Sequence, residues 1–207
     1  MSPRMAKVIS TELLENKDAK WLNLVKITYE DENGKARNWE AMQRYGRPKD
    51  SIVDAVQMIV IANRSNGPEV LLEKQFRPPS GKVVVEFPAG LVDENESPEE
   101  AALRELREET GYIGEVVQDR GDKRPVLFSS PATSGSKNFL IHLKIDDSIH
   151  ANQNPKPELE DGEFIETFWV PLNDVYLELR KLESQGFAID GKVGVFAEGL
   201  ETSKIWT

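Results

Sequence analysis

The side chains best suited to chemistry are three glutamates near the end of one predicted helix. Capping residues and periodicity predict a helix from Ser97 to Thr110, and Glu105, Glu108 and Glu109 fall within about 100° of one another around it. Glu108 and Glu109 lie in the last turn, where the helix dipole disfavours each carboxylate by roughly 0.3 to 1 kcal/mol. Negative charge concentrated at this end of a helix needs a positive counterpart.

Two positive counterparts are compatible with these residues. Arg104 and Arg107 lie on the same helix and can offset part of the repulsion, and most charge runs are solvated faces of this kind. The other counterpart is a cation bound from solution, since clustered carboxylates supply oxygen ligands. These residues alone give the two interpretations equal weight.

The boundaries of the helix are well marked. Ser97 is a helix N-cap, Pro98 suits the first helical position, and Glu100 completes a capping box with the serine. Gly111 favours the left-handed conformation that ends many helices. Upstream, residues 83–85 predict a strand, so the helix follows a strand and a loop.

The spacing upstream of the helix resembles the Nudix box of the Nudix hydrolases. Gly90 is followed by five residues, Glu96 and seven further residues, and the box ends in the run from Arg104 to Tyr112. The residue types in this run are Arg-Glu-Leu-Arg-Glu-Glu-Thr-Gly-Tyr, and the final aromatic residue is the one mild departure from the family pattern. A match at so many spaced positions, in a strand, loop and helix context, is far more specific than a single glycine motif.

The resemblance implies a helix whose glutamates hold divalent cations against the diphosphate of a nucleotide. The residue types agree, because the chain has no cysteine and two histidines, so that carboxylates and a backbone carbonyl form the available ligand shell. Such an oxygen shell suits Mg²⁺, with Mn²⁺ as the alternative. Arg104 would orient a ligand glutamate instead of touching substrate. The metal ligands implied by the resemblance are Ala89, Glu105, Glu108, Glu109 and Glu163.

Further segments resemble one subgroup of the family, the eukaryotic ADP-sugar pyrophosphatases that act on ADP-ribose. They occur in the same order over most of the chain. They are Lys20-Trp21, Asn38-Trp39-Glu40, Gln75-Phe76-Arg77-Pro78-Pro79, Glu86-Phe87-Pro88-Ala89-Gly90-Leu91 and Asp161-Gly162-Glu163-Phe164. In that subgroup the N-terminal strands exchange across a homodimer. Trp21 and Trp39 match two tryptophans, one from each subunit, that enclose the adenine.

The resemblance also implies the remaining substrate contacts. Glu40 would accept a hydrogen bond from the adenine amino group, and Arg44 would lie beside the base or its phosphates. Arg77 follows a strand and precedes two prolines that fix the backbone, which suits a rigid diphosphate contact. Leu91 would present its backbone to the substrate. For any single tryptophan, core packing or a dimer contact is the alternative role.

The implied reaction is the hydrolysis of ADP-ribose to AMP and ribose 5-phosphate with two or three Mg²⁺ ions. The implied catalytic residues are Glu105, Glu108, Glu109 and Glu163. Glu163 and Glu108 are rival candidates for the general base, and Glu163 would approach the metals when the loop of residues 152–162 closes. Ser130 stands where the subgroup has an acidic residue that contacts the terminal sugar, so the sugar preference is expected to differ.

Three alternatives to this function are open. The chain could hydrolyse another nucleoside diphosphate sugar or NADH, or it could be a sensor that binds ADP-ribose without hydrolysis. A purely structural role for the acidic cluster is the third. Intact Arg104, Glu105, Glu108 and Glu109 favour an enzyme, because a sensor has no need to retain a strained acidic cluster.

Composition restricts the partners and the compartment. The 207 residues are 39% hydrophobic and 30% charged, which suits a globular domain. The net charge of −10 argues against nucleic acid or an anionic membrane as a partner. Residues 1–18 lack the apolar segment of a signal peptide, and no run is long enough to span a membrane. The cytoplasm is therefore the expected compartment, with the nucleus as the alternative.

The remaining pattern predicts a mixed α/β (α+β) fold in which helices enclose a mixed β-sheet, as the resemblance implies. Predicted strands lie at 53–62, 69–76, 82–87, 139–145 and 164–170, and predicted helices after the first lie at 173–185 and 193–203. Residues 19–47 form a separate pair of strands with an Asn33-Gly34 turn. Because two strands are not stable alone, they must pack on the main domain or on another subunit. We expect a dimerisation and adenine-binding subdomain at residues 1–50 and a catalytic domain at residues 51–207.

Overall fold

The protein is built mainly of strands in residues 6–117 and 124–206, the parts of the chain that the computed structural model describes. The strands are β1 (Leu22–Glu30), β2 (Ala36–Arg44), β3 (Ala55–Arg64), β4 (Gly67–Arg77), β5 (Lys82–Glu86), β6 (Ala89–Leu91), β7 (Gly114–Val116), β8 (Leu127–Phe128), β9 (Lys137–Ile145), β10 (Ile165–Pro171) and β11 (Ala188–Ile189). The helices are α1 (Pro98–Thr110), α2 (Val175–Ser184) and α3 (Gly191–Ile205), with short 3₁₀ helices at Asn16–Asp18, His150–Gln153 and Leu172–Asp174. The mixed α/β class is confirmed.

Strands β3 to β11 form one mixed sheet, whereas β1 and β2 form a separate antiparallel hairpin. The main path of the large sheet runs β11, β5, β4, β3, β9 and β7, with β10 joined to β4, β6 to β3 and β8 to β9. β3 and β9 are parallel neighbours near its centre, and β4 is antiparallel to β3, β5 and β10. This order places β6, which contains Gly90, beside β3, and places β4 between β3 and β5.

Helices cover both faces of the large sheet. On one face, Ala102 and Leu106 of α1 pack in a buried cluster with Met58 and Leu71 of the sheet. On the other face, α2 and α3 pack against residues such as Leu72. The expected arrangement of a sheet between helices is therefore confirmed. Among the described residues, none of the helices is both long and apolar enough to cross a membrane.

The predicted boundaries of the long elements agree with the structure to within two residues. The short strands β6, β7, β8 and β11 were not predicted, because two or three residues are too few to show a periodicity. Helical periodicity predicts that Leu103 of α1 lies on the apolar arc with Ala102 and Leu106, but this prediction is wrong. Leu103 is exposed, since it lies about 120° around the helix from the buried Glu109.

The hairpin of β1 and β2 contacts the rest of the chain along both edges, and on the β1 edge the Leu24 backbone exchanges two hydrogen bonds with the Asn16 side chain. Met42 N–H donates to the carbonyl oxygen of Thr133 and Trp39 Nε1 donates to that of Ala132, each at 2.7 Å. The predicted turn is present, with Gly34 at a φ of 75°. Many large apolar side chains of the hairpin are exposed, namely Trp21, Leu22, Leu24, Ile27, Tyr29, Trp39, Met42 and Tyr45. Such a surface is unusual for a pair of strands that faces only water.

Candidate active site

The segment that carries Gly90 lies directly against α1. Strand β6 pairs with β3, which places Gly90 opposite Val56. A Cβ atom at residue 90 would lie 1.8 Å from the Cδ atom of Glu105. Only glycine therefore leaves room for that carboxylate, and the close approach brings the backbone of β6 against the acidic face of α1.

Both ends of α1 are fixed as the sequence predicted. The Ser97 side chain accepts a hydrogen bond from the N–H of Glu100, and the Glu100 carboxylate accepts one from the N–H of Ser97. At the other end, Gly111 adopts a φ of 75° and its N–H donates to the carbonyl oxygen of Arg107. The glutamates of α1 are therefore presented on a helix whose ends do not depend on the site.

Arg104 holds three glutamates at once. Its Nε and Nη2 donate to the two carboxylate oxygens of Glu96 at 2.8 and 2.9 Å. Its Nη1 donates to Glu105 Oε1 at 2.9 Å and to Glu108 Oε2 at 3.0 Å. The orienting role expected of Arg104 agrees with these contacts. Burial raises the pKa of Glu105, and the hydrogen bond and charge of Arg104 act in the opposite direction.

Glu109 differs from the other glutamates of α1. It is only 5% exposed, and its Oε2 accepts a hydrogen bond from the N–H of Ala89 at 3.1 Å. No ion pair joins it to an arginine or a lysine within the described parts of the chain. Burial raises the pKa of Glu109 well above its ordinary value, and the negative charges of Glu73 and Glu105 raise it further.

The arginines of α1 pair with some of its glutamates but not with all of them. Arg104 shares one positive charge among Glu96, Glu105 and Glu108, whereas Arg107 pairs with Glu158 of the long loop at 3.1 Å. Ion pairing therefore accounts for two of the three carboxylates and omits the most buried one. The arrangement favours a cation from solution as the counterpart of Glu109.

Glu73 of β4 belongs to the same cluster and was missed by the sequence analysis. It is fully buried, and neither of its carboxylate oxygens has a hydrogen-bond partner among the described residues. Burial, followed by the charge of Glu86, raises the pKa of Glu73. A signal was available, since an acidic residue follows the apolar run of residues 70–72 at a position where alternation turns it toward a core.

The long loop brings Glu163 to the cluster. The N–H of Glu158 donates to the backbone carbonyl oxygen of Glu108 at 2.7 Å, so the loop crosses the carbonyl end of α1. The negative charge of Glu163 contributes to the raised pKa values of Glu73, Glu105 and Glu109. The Glu163 carboxylate itself accepts a hydrogen bond from the N–H of Glu160 at 3.3 Å.

The donors in this cluster fit a hard divalent cation. They are carboxylate and carbonyl oxygens, which Mg²⁺ and Mn²⁺ prefer. In the described residues, no three His, Cys, Asp or Glu side chains already stand in a metal-holding arrangement. Glu105 and Glu108 are bonded to Arg104, whereas Glu109 is bonded to Ala89. A cation would have to compete with these hydrogen bonds, and in return it would relieve the repulsion among the buried acids.

Arg77 and Leu91 lie next to the Gly90 segment. Arg77 Nε and Nη2 donate to the two carboxylate oxygens of Glu86 at 2.7 and 3.2 Å, which fixes the guanidinium at the end of β4. The carbonyl oxygen of Leu91 accepts a hydrogen bond from Arg104 Nη2 at 3.0 Å. Both residues are therefore close to the acidic cluster, and their contacts with substrate stay predictions.

The hairpin residues expected to bind adenine do not meet within one chain. Trp39 pairs with Ile27, and Trp21 lies six residues before Ile27 on the same face, which separates the two tryptophans by about 20 Å. Both are exposed, at 71% for Trp21 and 50% for Trp39. Glu40 and Arg44 project from the opposite face of β2.

A cavity of about 330 Å³ lies where the hairpin meets the large sheet. Its lining residues are Met42, Gln43, Arg44, Arg47, Asp54, Gly135 and Ser136. Arg47 donates to both carboxylate oxygens of Asp54 at 2.7 and 2.8 Å. Arg44 therefore faces a space next to the hairpin, separate from the glutamates of α1.

Comparison with known proteins identifies the family. A family model described as the NUDIX domain matches residues 53–188. This chain belongs to the Nudix family. The match covers the Nudix box, the whole large sheet except the last residue of β11, and helices α1 and α2. The predicted family is thus confirmed, and the hairpin lies outside the matched range.

Relatives of this Nudix chain extend over almost its full length. It is 47% identical over 194 residues to an uncharacterized Nudix hydrolase of Schizosaccharomyces pombe, covering 94% of this chain and 92% of that protein. It is 40% identical over 205 residues to the ADP-ribose pyrophosphatase of Saccharomyces cerevisiae, covering 98% and 87%. It is 41% identical over 201 residues to the ADP-sugar pyrophosphatase of Mus musculus, covering 96% and 88%.

Nudix hydrolases generally need a divalent metal ion, and the acidic cluster is where this chain would hold one. The Nudix box supplies Gly90, which lies against Glu105, and Glu105 and Glu108, which are held by Arg104. It also supplies Glu109, which is bonded to the backbone N–H of Ala89. Glu73 and Glu163 come to the same cluster from outside the box.

Proposed function

We propose that this Nudix chain hydrolyses the diphosphate bond of ADP-ribose, giving AMP and ribose 5-phosphate, with Mg²⁺ as its metal ion. The relatives named ADP-ribose pyrophosphatase and ADP-sugar pyrophosphatase, similar over nearly the whole chain, support this class of substrate. The observation that carries the proposal is Glu109, a buried carboxylate that no arginine or lysine neutralises within the described residues.

The cation would be held by the carbonyl oxygen of Ala89 and by Glu105, Glu108 and Glu109, with Glu163 approaching from its loop. When bound, it supplies positive charge that offsets the charge of the diphosphate and of the leaving phosphate. Arg104 fixes Glu105 and Glu108 before any ligand arrives, and such preorganised groups need little rearrangement during the reaction. Mg²⁺ suits this all-oxygen set, and Mn²⁺ is the alternative.

Glu163 is our choice for the general base. A water oxygen attacks one phosphorus, the bond from that phosphorus to the bridging oxygen breaks, and the Glu163 carboxylate takes a proton from the water. The rival Glu108 accepts a hydrogen bond from Arg104, whereas Glu163 accepts one from a backbone N–H of its own loop. Closure of that loop would also exclude bulk water from the site.

We infer that residues 1–50 form a dimerisation subdomain and that residues 51–207 form the catalytic domain. The separation of about 20 Å between Trp21 and Trp39 prevents them from enclosing one adenine within a single chain. Exchange of hairpins between two copies can bring Trp21 of one copy toward Trp39 of the other. It would also cover the exposed apolar side chains of both hairpins. Each adenine stacked on an aromatic face gains roughly 1 to 3 kcal/mol.

We assign the remaining substrate contacts to Glu40, Arg44, Arg77 and Leu91. Glu40 would bind the adenine amino group, and Arg44 faces the cavity beside the hairpin. Arg77 would bind the diphosphate, because a guanidinium has five N–H donors and Glu86 takes two of them. Leu91 would present its backbone N–H, since its carbonyl oxygen is bonded to Arg104.

A comparison of substrates tests the proposal. We expect hydrolysis of ADP-ribose to be faster than that of ADP-glucose, GDP-mannose or NADH when product formation is measured with Mg²⁺. A preference for GDP-mannose or NADH would replace ADP-ribose with that substrate. Binding of ADP-ribose without any product would instead identify the chain as a sensor. Ser130 marks the segment in which a difference in sugar preference is expected to arise.

A further inference from the structure

Glu73 projects from the sheet toward the face of α1 that carries the glutamates. In β4 it lies opposite Glu86 of β5 and opposite Thr167 of β10. Leu71, two residues earlier, packs in the buried cluster that contains Leu106 of α1. Because side chains alternate along a strand, Glu73 points to the same side of the sheet as Leu71.

No group within the described chain satisfies the Glu73 carboxylate. Its side chain is fully buried, and both of its oxygens lack a hydrogen-bond partner among the described residues. Arg77, on the same face of β4, donates instead to both oxygens of Glu86. Burying an acid without a partner is costly, and buried acids in proteins are normally paired or coordinate metals. A ligand from solution is therefore the expected partner of Glu73.

The charges around Glu73 connect it to the cation site. The negative charges of Glu105 and Glu163 act on Glu73, and the charge of Glu73 is the main one that acts on Glu109. These acids come from β4, from α1 and from the long loop, so three separate parts of the chain bring negative charge to one cluster. The Nudix box supplies only Glu105 and Glu109 of this group.

We propose that Glu73 is an additional ligand of the divalent cation, supplied by β4 from the sheet side of Glu109. The proposal rests on the proposed function, because it concerns the same site. It explains why a fully buried acid without a partner is present directly after the apolar run of residues 70–72. The cation would bind between the sheet and α1, and more tightly than the acids of the box alone could bind it.

Titration with Mn²⁺, followed by its electron paramagnetic resonance signal, tests the proposal without any need for substrate. The variants are Glu73→Gln and Glu73→Leu, and Glu166→Gln on the neighbouring strand is the control, because it removes the same charge from an exposed side chain paired with Lys74. We expect both Glu73 variants to bind Mn²⁺ at least about tenfold more weakly than the wild type. The control should bind it as the wild type does.

Thermal unfolding in chelator shows whether the variants remain folded. We expect Glu73→Leu to unfold at or above the wild-type temperature, because an apolar side chain replaces a buried acid without a partner. A lower unfolding temperature would contradict the proposal, since it would mean that the chain itself satisfies the carboxylate.

Unchanged Mn²⁺ affinity in either Glu73 variant would also overturn the assignment of Glu73 as a ligand. Failure of the wild type to bind Mn²⁺, or to hydrolyse ADP-ribose, would instead overturn the proposed function. The two failures can therefore be told apart.

Discussion

At the scale of residues, one arginine determines which carboxylates of the site have a cationic partner. Arg104 holds Glu105 and Glu108 by hydrogen bonds of 2.9 and 3.0 Å. Glu109 receives only a backbone N–H among the contacts found in the described residues. Within two turns of one helix, two carboxylates are therefore oriented by an arginine, and a third is bonded to no cationic side chain. A cation would bind at Glu109 in place of the proton that the raised pKa otherwise keeps on its carboxyl group.

Alanine at residue 90 is expected to disable the site without unfolding the protein. The new Cβ would lie 1.8 Å from the Cδ atom of Glu105, and the flexible end of that side chain would have to move away. A catalytic group misplaced by about 1 Å can cost roughly 100-fold in rate, and we expect at least that loss for Gly90→Ala. Steady-state rates with ADP-ribose and the unfolding temperature in chelator measure the two effects.

The control for Gly90→Ala is Gly199→Ala in α3, where a new Cβ meets nothing within 4 Å. It should keep full activity and gain up to about 1 kcal/mol of stability from the higher helix propensity of alanine. Full activity in the Gly90→Ala variant would show that Glu105 does not need its present position.

Replacement of Glu163 with glutamine tests the general base. We expect turnover to fall by about 10² to 10⁴-fold, because the amide cannot take a proton from the attacking water. Without substrate the affinity for Mn²⁺ should change little, because Glu163 is expected to approach the cation only when its loop closes. Glu160→Gln is the matched control, since it lies in the same loop and offers Glu163 only its backbone N–H. Near-normal turnover of Glu163→Gln would leave Glu108 as the base.

At the scale of elements, the hairpin of β1 and β2 exposes apolar side chains that contacts within its own chain do not cover. β1 and β2 pair over nine residues each, yet apolar side chains are exposed on both of their faces. The hairpin contacts the segment that contains Thr133 and Ala132 on one edge and Asn16 on the other. The same hairpin from a second copy is the partner we propose for these side chains.

A charge on the hairpin should prevent dimer formation. Leu24 of β1 is 62% exposed and Leu177 of α2 is 64% exposed, so glutamate at either position should leave the fold intact. We expect Leu24→Glu to give monomers and to raise the KM for ADP-ribose, because burying an unpaired charge in an interface is costly. Leu177→Glu should behave as the wild type. Light scattering measures the mass, and a monomeric wild type would contradict the proposed dimer.

At the scale of the whole molecule, the acidic cluster should control how stability depends on pH. Burial is the largest cause that raises the pKa values of Glu73, Glu105 and Glu109. An acid with a higher pKa in the folded protein favours folding at low pH, and this contribution is lost as the pH rises through the folded value.

In chelator, the unfolding temperature should therefore fall as the pH rises from about 4.3, the ordinary glutamate value, through about 8 for Glu73 and toward about 10 for Glu109. Mg²⁺ should reduce this fall, because it binds the ionised acids and stabilises the folded state. Differential scanning calorimetry over that pH range measures both effects. An unfolding temperature that rises with pH in chelator would contradict the raised pKa values of the three glutamates.

Much of this organisation could be predicted from local patterns. The caps of α1 and the long strands follow from residue types and periodicity, which depend on near neighbours. The role of Glu73 could not be predicted in this way, because its burial depends on α1 and on the pairing of β4 with β5 and β10. The choice of Glu158 as the partner of Arg107 likewise depends on where the long loop lies.

The central claim is that the acids of α1 hold a divalent cation against the diphosphate of ADP-ribose. Its most direct test is incubation of the protein with ADP-ribose in Mg²⁺ and, separately, in chelator, with identification of the products by chromatography. We predict equal amounts of AMP and ribose 5-phosphate with Mg²⁺ and intact ADP-ribose in chelator. Intact ADP-ribose under both conditions, or equal rates in both, would contradict the claim.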